Sequence, residues 1–393
     1  MLACAFMPLT EKHALRFATL TLDRPASAAT KDREAERVGP PQGFRFGHIL
    51  ELDGFRGLAV LLVTAGHFLE YHLRGRNGNT LSLALGQTGV LLFFVLSGFL
   101  ITGLLQRERE ATGRIGFRNF YVRRALRLLP ALAVLLASVA VLVQLRQVTD
   151  VTRTEFLACL FYARNLFGHS TTLGHIWSLS LEEQFYLLWP LTLALLPRKD
   201  AAMKTLAVCT GFMIWRGLAI SANLFPYERG IYYVRPYFRF DSILIGAFVA
   251  LWFASSEPGR EQARRILRLA PTFALWVALA LWAYFGEMVS RPLHTTLLEI
   301  LAAAALAEAV LCPDKWTSRI LRSRALRFFG MISYSLYLWQ QLFTMADQPS
   351  WGIWRQFPLA LVAPVALATI SYFALERPAL RLKERLAPQV TPP

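Results

Sequence analysis

Residues 53–67 read DGFRGLAVLLVTAGH, an apolar run with Arg56 near its start and His67 at its end. At about 1.5 Å per residue, a helix sets these two side chains roughly 16 Å apart along its axis. One then lies near a membrane face and the other near mid-bilayer. An ionisable side chain at that depth marks a functional site by default.

Working outward, apolar segments of similar length recur along most of the chain. They predict ten spans, near 54–73, 81–105, 128–145, 177–197, 203–224, 238–254, 270–286, 294–312, 326–345 and 357–376. With 55% hydrophobic and 17% charged residues, the chain is too apolar for an ordinary soluble domain. The expected fold class is all-α, a polytopic integral membrane protein of about ten transmembrane helices. Between the third and fourth spans, FLACLFYARNLFG reads as a re-entrant or interfacial segment.

The net charge of +16 would suggest nucleic acid in a soluble chain. Here it is distributed by loop. Connections 106–128, 198–204, 255–269 and 313–327 hold nineteen Lys and Arg, against nine in the other five. Those nine are Arg74, Arg76, Arg146, Arg153, Arg164, Arg229, Arg235, Arg291 and Arg355. The positive-inside tendency puts both termini in the cytoplasm, and no nucleic-acid partner is expected; the partners are membrane lipids and a substrate. Residues 1–47 read as a flexible cytoplasmic tail rather than a signal peptide, because MLACAFMPLTEKH lacks a basic start. The transmembrane domain is expected over 48–385, with a short tail at 386–393. Cys4, Cys159, Cys209 and Cys312 are too scattered for a zinc site or a disulfide framework, and no metal is expected.

Several residues could carry chemistry. His67 suits a general base for acyl transfer, or a histidine bonded between helices, for instance to Glu70 one turn away. Ser97 could be a nucleophile, but in a glycine-rich span it reads better as a packing residue. Arg124 and Arg127 share a helix face and suit either lipid headgroups or a polyphosphate. In GHIWSLSLEEQFYLLWP, Ser180 and Glu183 fit a capping box, whereas Glu182 points elsewhere and could orient His67. Arg216, Arg239, Asp241 and Glu299 suggest ion pairs between helices or a cavity lining.

Taken together, LDGFRGLAVLLVTAGH, GVLLFFVLSGFLIT, FYVRRALRLLPAL, HIWSLSLEEQFYLLWPL, RFDSILIGAF, ISYSLYLW and LERP resemble the membrane-bound acyltransferase-3 family. They stand in the family's order from about residue 48 to 385. The resemblance implies O-acylation of a carbohydrate or small-molecule hydroxyl, with acyl-CoA, acetyl-CoA foremost, as donor from the cytoplasmic side of the plasma (inner) membrane. It implies His67 as catalytic base and Glu182 as its orienting partner. Arg56, Arg124 and Arg127 would bind acyl-CoA, with Asp53, Glu183, Arg216 and Asp241 in support.

There are departures from the family pattern. Gln340 and Gln341 stand where many members have His-Trp, and Leu91 occupies a position that is often polar. The chain as read carries no fused esterase-like domain after its last span, which argues against members that finish transfer at a separate serine site. The rival reading is a transporter or flippase for a glycan or lipid-linked intermediate, although no matched pair of broken helices supports it. The acceptor, the acyl chain and the oligomeric state are not encoded in any motif.

Overall fold

The computed structural model describes residues 49–72, 78–225, 231–344, 352–354 and 356–386. The expected tail at 1–47 lies outside the described residues, as do 387–393 of the C-terminal one and Arg74, Arg76, Arg229 and Arg355. All regular structure among the described residues is helical. The helices are α1 (Leu50–His72), α2 (Gly78–Thr112), α3 (Phe117–Gln144), α4 (Arg153–Leu160), α5 (Ile176–Leu195) and α6 (Ala201–Ser221). There follow α7 (Ile231–Val234), α8 (Pro236–Ser255), α9 (Glu257–Leu269), α10 (Ala274–Val289) and α11 (Arg291–Leu311). The last are α12 (Trp316–Leu321), α13 (Arg324–Met331), α14 (Ser333–Thr344), α15 (Leu359–Ser371) and α16 (Arg377–Leu386).

Seven segments among the described residues are long and apolar enough to cross a membrane: α1, α2, α3, Arg198–Ser221, α8, α11 and Leu359–Leu382. The pair α9 and α10, bent by 83° at its break, makes an eighth if counted as one span. The protein is thus a polytopic, all-helical membrane protein.

Three of the ten predicted spans differ in kind, one of them 270–286, which is α10 and reaches spanning length only together with α9. Residues 177–197 do fold as a helix, α5, but Glu182 and Glu183 sit within it and reduce its apolarity. Residues 326–345 are split into α13 and α14 around Ile332. Just before that break, Gly330 meets the Asp53 carbonyl so closely that a Cβ would overlap it. The predicted re-entrant segment contains α4, whose Thr152 and Glu155 form a capping box.

The core is built on close helix contacts. Gly98 of α2 faces the Ile243 carbonyl of α8, and Gly246 of α8 faces the Val95 carbonyl of α2; a Cβ at either would overlap backbone. Without water to drive association inside a bilayer, such small-residue contacts are what permits tight packing. Phe55, Val60, Phe94, Phe99, Ile243 and Phe253 are fully buried around this seam. A second apolar cluster joins α3 to α14 through Leu132, Leu135, Leu338 and Leu342.

Candidate active site

A cavity of about 870 Å³, its open mouth included, is lined from α1, α2, α3, α5 and α14. Its polar lining is Arg56, Ser97, Arg124, Arg127, Tyr162, Ser178, Glu182, Glu183, Tyr186, Ser333, Tyr334 and Tyr337. Val90, Phe93, Leu96 and Leu100 of α2 form an apolar wall.

The three predicted arginines converge there. Because α3 starts at Phe117, Arg124 and Arg127 stand three apart on one helix and share a face. Arg124 Nε donates to Glu183 Oε1 at 2.8 Å, and its guanidinium lies 3.1 Å from the centroid of the Tyr186 ring. Arg56 Nη1 is 3.9 Å from Asp53 Oδ1, an ion pair within the first turns of α1. Arg127 lines the cavity and makes no hydrogen bond or ion pair to another described residue.

Glu182 belongs to this cluster. Its Oε2 accepts from the Tyr186 hydroxyl at 3.2 Å, and Ser97 lines the same cavity. The expected pairing of Glu182 with His67 is therefore replaced: the carboxylate stands among the arginines. The capping box expected of Ser180 and Glu183 is absent too. The helix begins at Ile176, so Ser180 lies inside it and donates to the Ile176 carbonyl at 2.9 Å, which leaves Glu183 for Arg124.

His67 has a different partner. Its Nδ1 is 3.0 Å from Gln340 Oε1, across 273 residues of sequence. The Thr344 hydroxyl, one turn along α14, donates to the same Oε1 at 3.1 Å. Glu70, the neighbour considered from sequence, makes no hydrogen bond to the ring. His67 itself is not among the residues lining the cavity.

Two helices extend from that cavity. On α14, Ser333, Tyr334 and Tyr337 line the cavity, and Gln340 one turn further meets the histidine. On α5, Ser178 and Glu182 line it, while His175 at the helix start donates from Nε2 to the Leu338 carbonyl at 3.1 Å. Tyr337 donates to the His175 carbonyl at 2.9 Å and is bonded to Ser178. The hydrogen bonds among Tyr337, Ser178 and His175 stop short of His67, which is reached from α14 through Gln340.

The segment before α5 is firmly held. Asp150 accepts from the Thr171 and Thr172 backbone and hydroxyl groups at 2.6–3.0 Å. Glu155 accepts from the His169 and Ser170 backbone. Burial pushes both carboxyls up, but the bonds from Thr172 and Thr171, and those from Thr152, Ser170 and His169, outweigh it and hold both below the ordinary carboxylate range. Gln341 Nε2 donates to the Thr171 carbonyl at 2.6 Å, tying this segment to α14.

Arg216 and Asp241, expected in support, do not reach the cavity. Arg216, only 1% exposed, bridges Asp241 and Glu299, with Nη2 2.9 Å from Glu299 Oε2, and also bonds the Thr296 hydroxyl at 3.0 Å. Of the two alternatives open from sequence, the ion pair between helices is the one observed; it joins α6, α8 and α11.

A family model described as "Acyltransferase domain" matches residues 49–373. The chain belongs to the acyltransferase-3 family. It is 31% identical over 359 residues to the "Putative peptidoglycan O-acetyltransferase YrhL" of Bacillus subtilis, covering 84% of this chain and 55% of that protein. A "Putative O-acetyltransferase" of Staphylococcus aureus is 31% identical over 326 residues, 74% of this chain and 50% of its own length. The "Peptidoglycan O-acetyltransferase OatA" of Listeria monocytogenes is 26% identical over 360 residues, 84% of this chain and 56% of its own. The chain spans about half the length of these curated relatives. No solved structure matches it.

Within this acyltransferase-3 domain, sequence reasoning missed Gln340, Thr344 and the tyrosines of the cavity. The spacing of Tyr334 and Tyr337 in ISYSLYLW puts them on one helix face and could have placed them together. Gln340 stood out as a departure from the family pattern, but its contact could not be read from spacing.

Proposed function

We propose that this acyltransferase-3 domain transfers an acetyl group from acetyl-CoA to a hydroxyl of peptidoglycan or another envelope glycan, in the plasma membrane. The observation that carries the reading is the convergence of Arg56, Arg124 and Arg127 on one cavity, with Arg127 free of any ion pair to a described residue. Guanidinium groups suit the phosphates of coenzyme A, because their fork geometry matches phosphate oxygens. The apolar α2 wall suits the pantetheine arm, and α14 leads from the cavity through Gln340 to His67. Relatives named as peptidoglycan O-acetyltransferases support a glycan acceptor.

His67 serves as general base. With Nδ1–H bonded to Gln340, Nε2 takes the proton of the acceptor hydroxyl as its oxygen attacks the thioester carbonyl. The carbon–sulfur bond breaks, and the imidazolium returns the proton to the departing thiolate. The products are the acetyl ester and free coenzyme A. Glu182 and Glu183 hold Arg124 and Tyr186 in place at the donor end. Counted loop charges support a cytoplasmic donor mouth.

The test is transfer of radiolabel from acetyl-CoA to soluble muropeptides by the purified protein in detergent, with His67→Ala in parallel. Labelled muropeptide from the native protein alone is the expected result. Label transferred equally by a well-folded His67→Ala protein removes the base, and no labelled product or released coenzyme A from the native protein removes the activity.

A further inference from the structure

We propose that Gln340 is a positioning residue for His67, its amide holding the imidazole in the one tautomer whose Nε2 can accept a proton. The inference rests on the base reading above and deepens it.

In the orientation found, Gln340 Oε1 faces Nδ1 at 3.0 Å while Gln340 Nε2 has no hydrogen-bond partner among the described residues; an amide oxygen has no hydrogen to give, so a neutral ring carries its proton on Nδ1. The amide is itself immobilised. Gln340 is fully buried, and the Thr344 hydroxyl on the next turn of α14 is shared between the Gln340 carbonyl at 3.0 Å and the same Oε1 at 3.1 Å. The helix that carries both is fastened to α3 by Tyr334, whose hydroxyl donates to the Leu128 carbonyl at 2.8 Å, and to the loop before α5 by Gln341. Among the described residues no carboxylate is bonded to His67; Glu182 accepts from Tyr186 instead.

A neutral amide does half of what a carboxylate does in a triad. It sets tautomer and ring orientation, but it adds no counter-charge to the imidazolium formed during transfer. The proton taken from the acceptor is therefore passed on to the leaving thiolate without an ion pair to hold it back. The cost of removing the bond falls on turnover rather than on donor binding, because the arginines line a cavity that neither Gln340 nor His67 lines.

Two nearly isosteric variants separate this role from packing. Methionine fills the site without an acceptor, and glutamate keeps one. A packing role ranks Gln340→Met above Gln340→Glu, since a buried apolar side chain is tolerated better than a carboxylate. The positioning role reverses that order. Using labelled acetyl-CoA and soluble muropeptides, Gln340→Met is expected to lower kcat about 10- to 100-fold with KM for acetyl-CoA unchanged, and Gln340→Glu to recover most of it. Gln340→Met at or above the rate of Gln340→Glu overturns the proposal. His67→Ala in the same assay keeps the two readings apart: if it is inactive while Gln340→Met is unimpaired, only the role of Gln340 falls. A measurement that needs no acceptor is the nitrogen NMR of ¹⁵N-histidine-labelled protein, with the His67 signals identified by their loss in His67→Ala. Protonated Nδ1 and bare Nε2 are expected in the native protein, and a mixture of tautomers in Gln340→Met. Protonated Nε2 in the neutral native ring overturns it.

Discussion

Arg124 Nε stands 2.8 Å from Glu183 Oε1, so one of the three guanidinium groups of the cavity is already oriented by a carboxylate before any ligand arrives. Both side chains are mostly buried, at 14% and 19% exposure. Glu183→Gln keeps the shape and removes the charge. It is expected to lower stability by about 1.5–3 kcal/mol, the worth of a hydrogen bond to a charged group. Thermal unfolding in detergent checks this, and an unchanged midpoint would show the pair to be worth nothing.

Arg127 has no such partner, so its loss should leave the fold intact. For Arg127→Ala we expect KM for acetyl-CoA to rise about 10- to 100-fold, the equivalent of one charge-assisted contact, with little change in kcat. A fall in kcat at constant KM would assign it elsewhere.

For His67→Ala the expected loss of turnover is about 10²- to 10⁴-fold, the usual contribution of a general base. Membrane insertion and the melting profile should match the native protein. Undiminished labelling of muropeptides would eliminate the base.

The segment between α3 and α5 is expected to respond to acid. Asp150 and Glu155 are held below the ordinary carboxylate range in the folded protein. Their contribution is therefore present above the unfolded values, about 3.9 for Asp and 4.3 for Glu, and is lost as pH falls through the lower folded ones. Hydrogen exchange at His169, Ser170, Thr171 and Thr172, corrected for intrinsic rates, should stay slow from pH 7 to 5 and accelerate below about pH 4. Acceleration already between pH 7 and 5 contradicts the sign.

Arg216 is ion-paired to two fully buried carboxylates, Asp241 and Glu299, and removing it alone strands them. Arg216→Met should cost about 3–5 kcal/mol and reduce the yield of folded protein sharply. The triple change Arg216→Met, Asp241→Asn, Glu299→Gln should be milder. Equal yields from both would mean that the charges do not interact as the distances indicate.

Composition and apolar periodicity were enough to read an all-helical membrane protein, and the arginines Arg56, Arg124 and Arg127 were legible as a set. Spacing pairs only Arg124 with Arg127 on α3; Arg56, on α1, joined them through the family resemblance. The contact of Glu182 with His67 could not be read from spacing along one helix, which says nothing about which neighbour a side chain faces; the carboxylate lies with the arginines. The capping box failed for a local reason: α5 begins four residues before Ser180, so a residue with a good cap sequence is interior. Gln340 was visible only as an odd residue, since its contact joins α1 to α14 across most of the chain.

The interlock of Gly98 with Gly246 has a mechanical corollary. Ser97, adjacent to it, belongs to a cavity wall that cannot slide without driving one backbone into another. That wall also lies in the deepest part of the bundle, with 72% of the α2 window buried against 33% for α3. Arg124 and Arg127 stand on the less buried α3 wall opposite, so the cavity sets two guanidinium groups against an α2 face whose spacing from α8 is fixed by backbone contact.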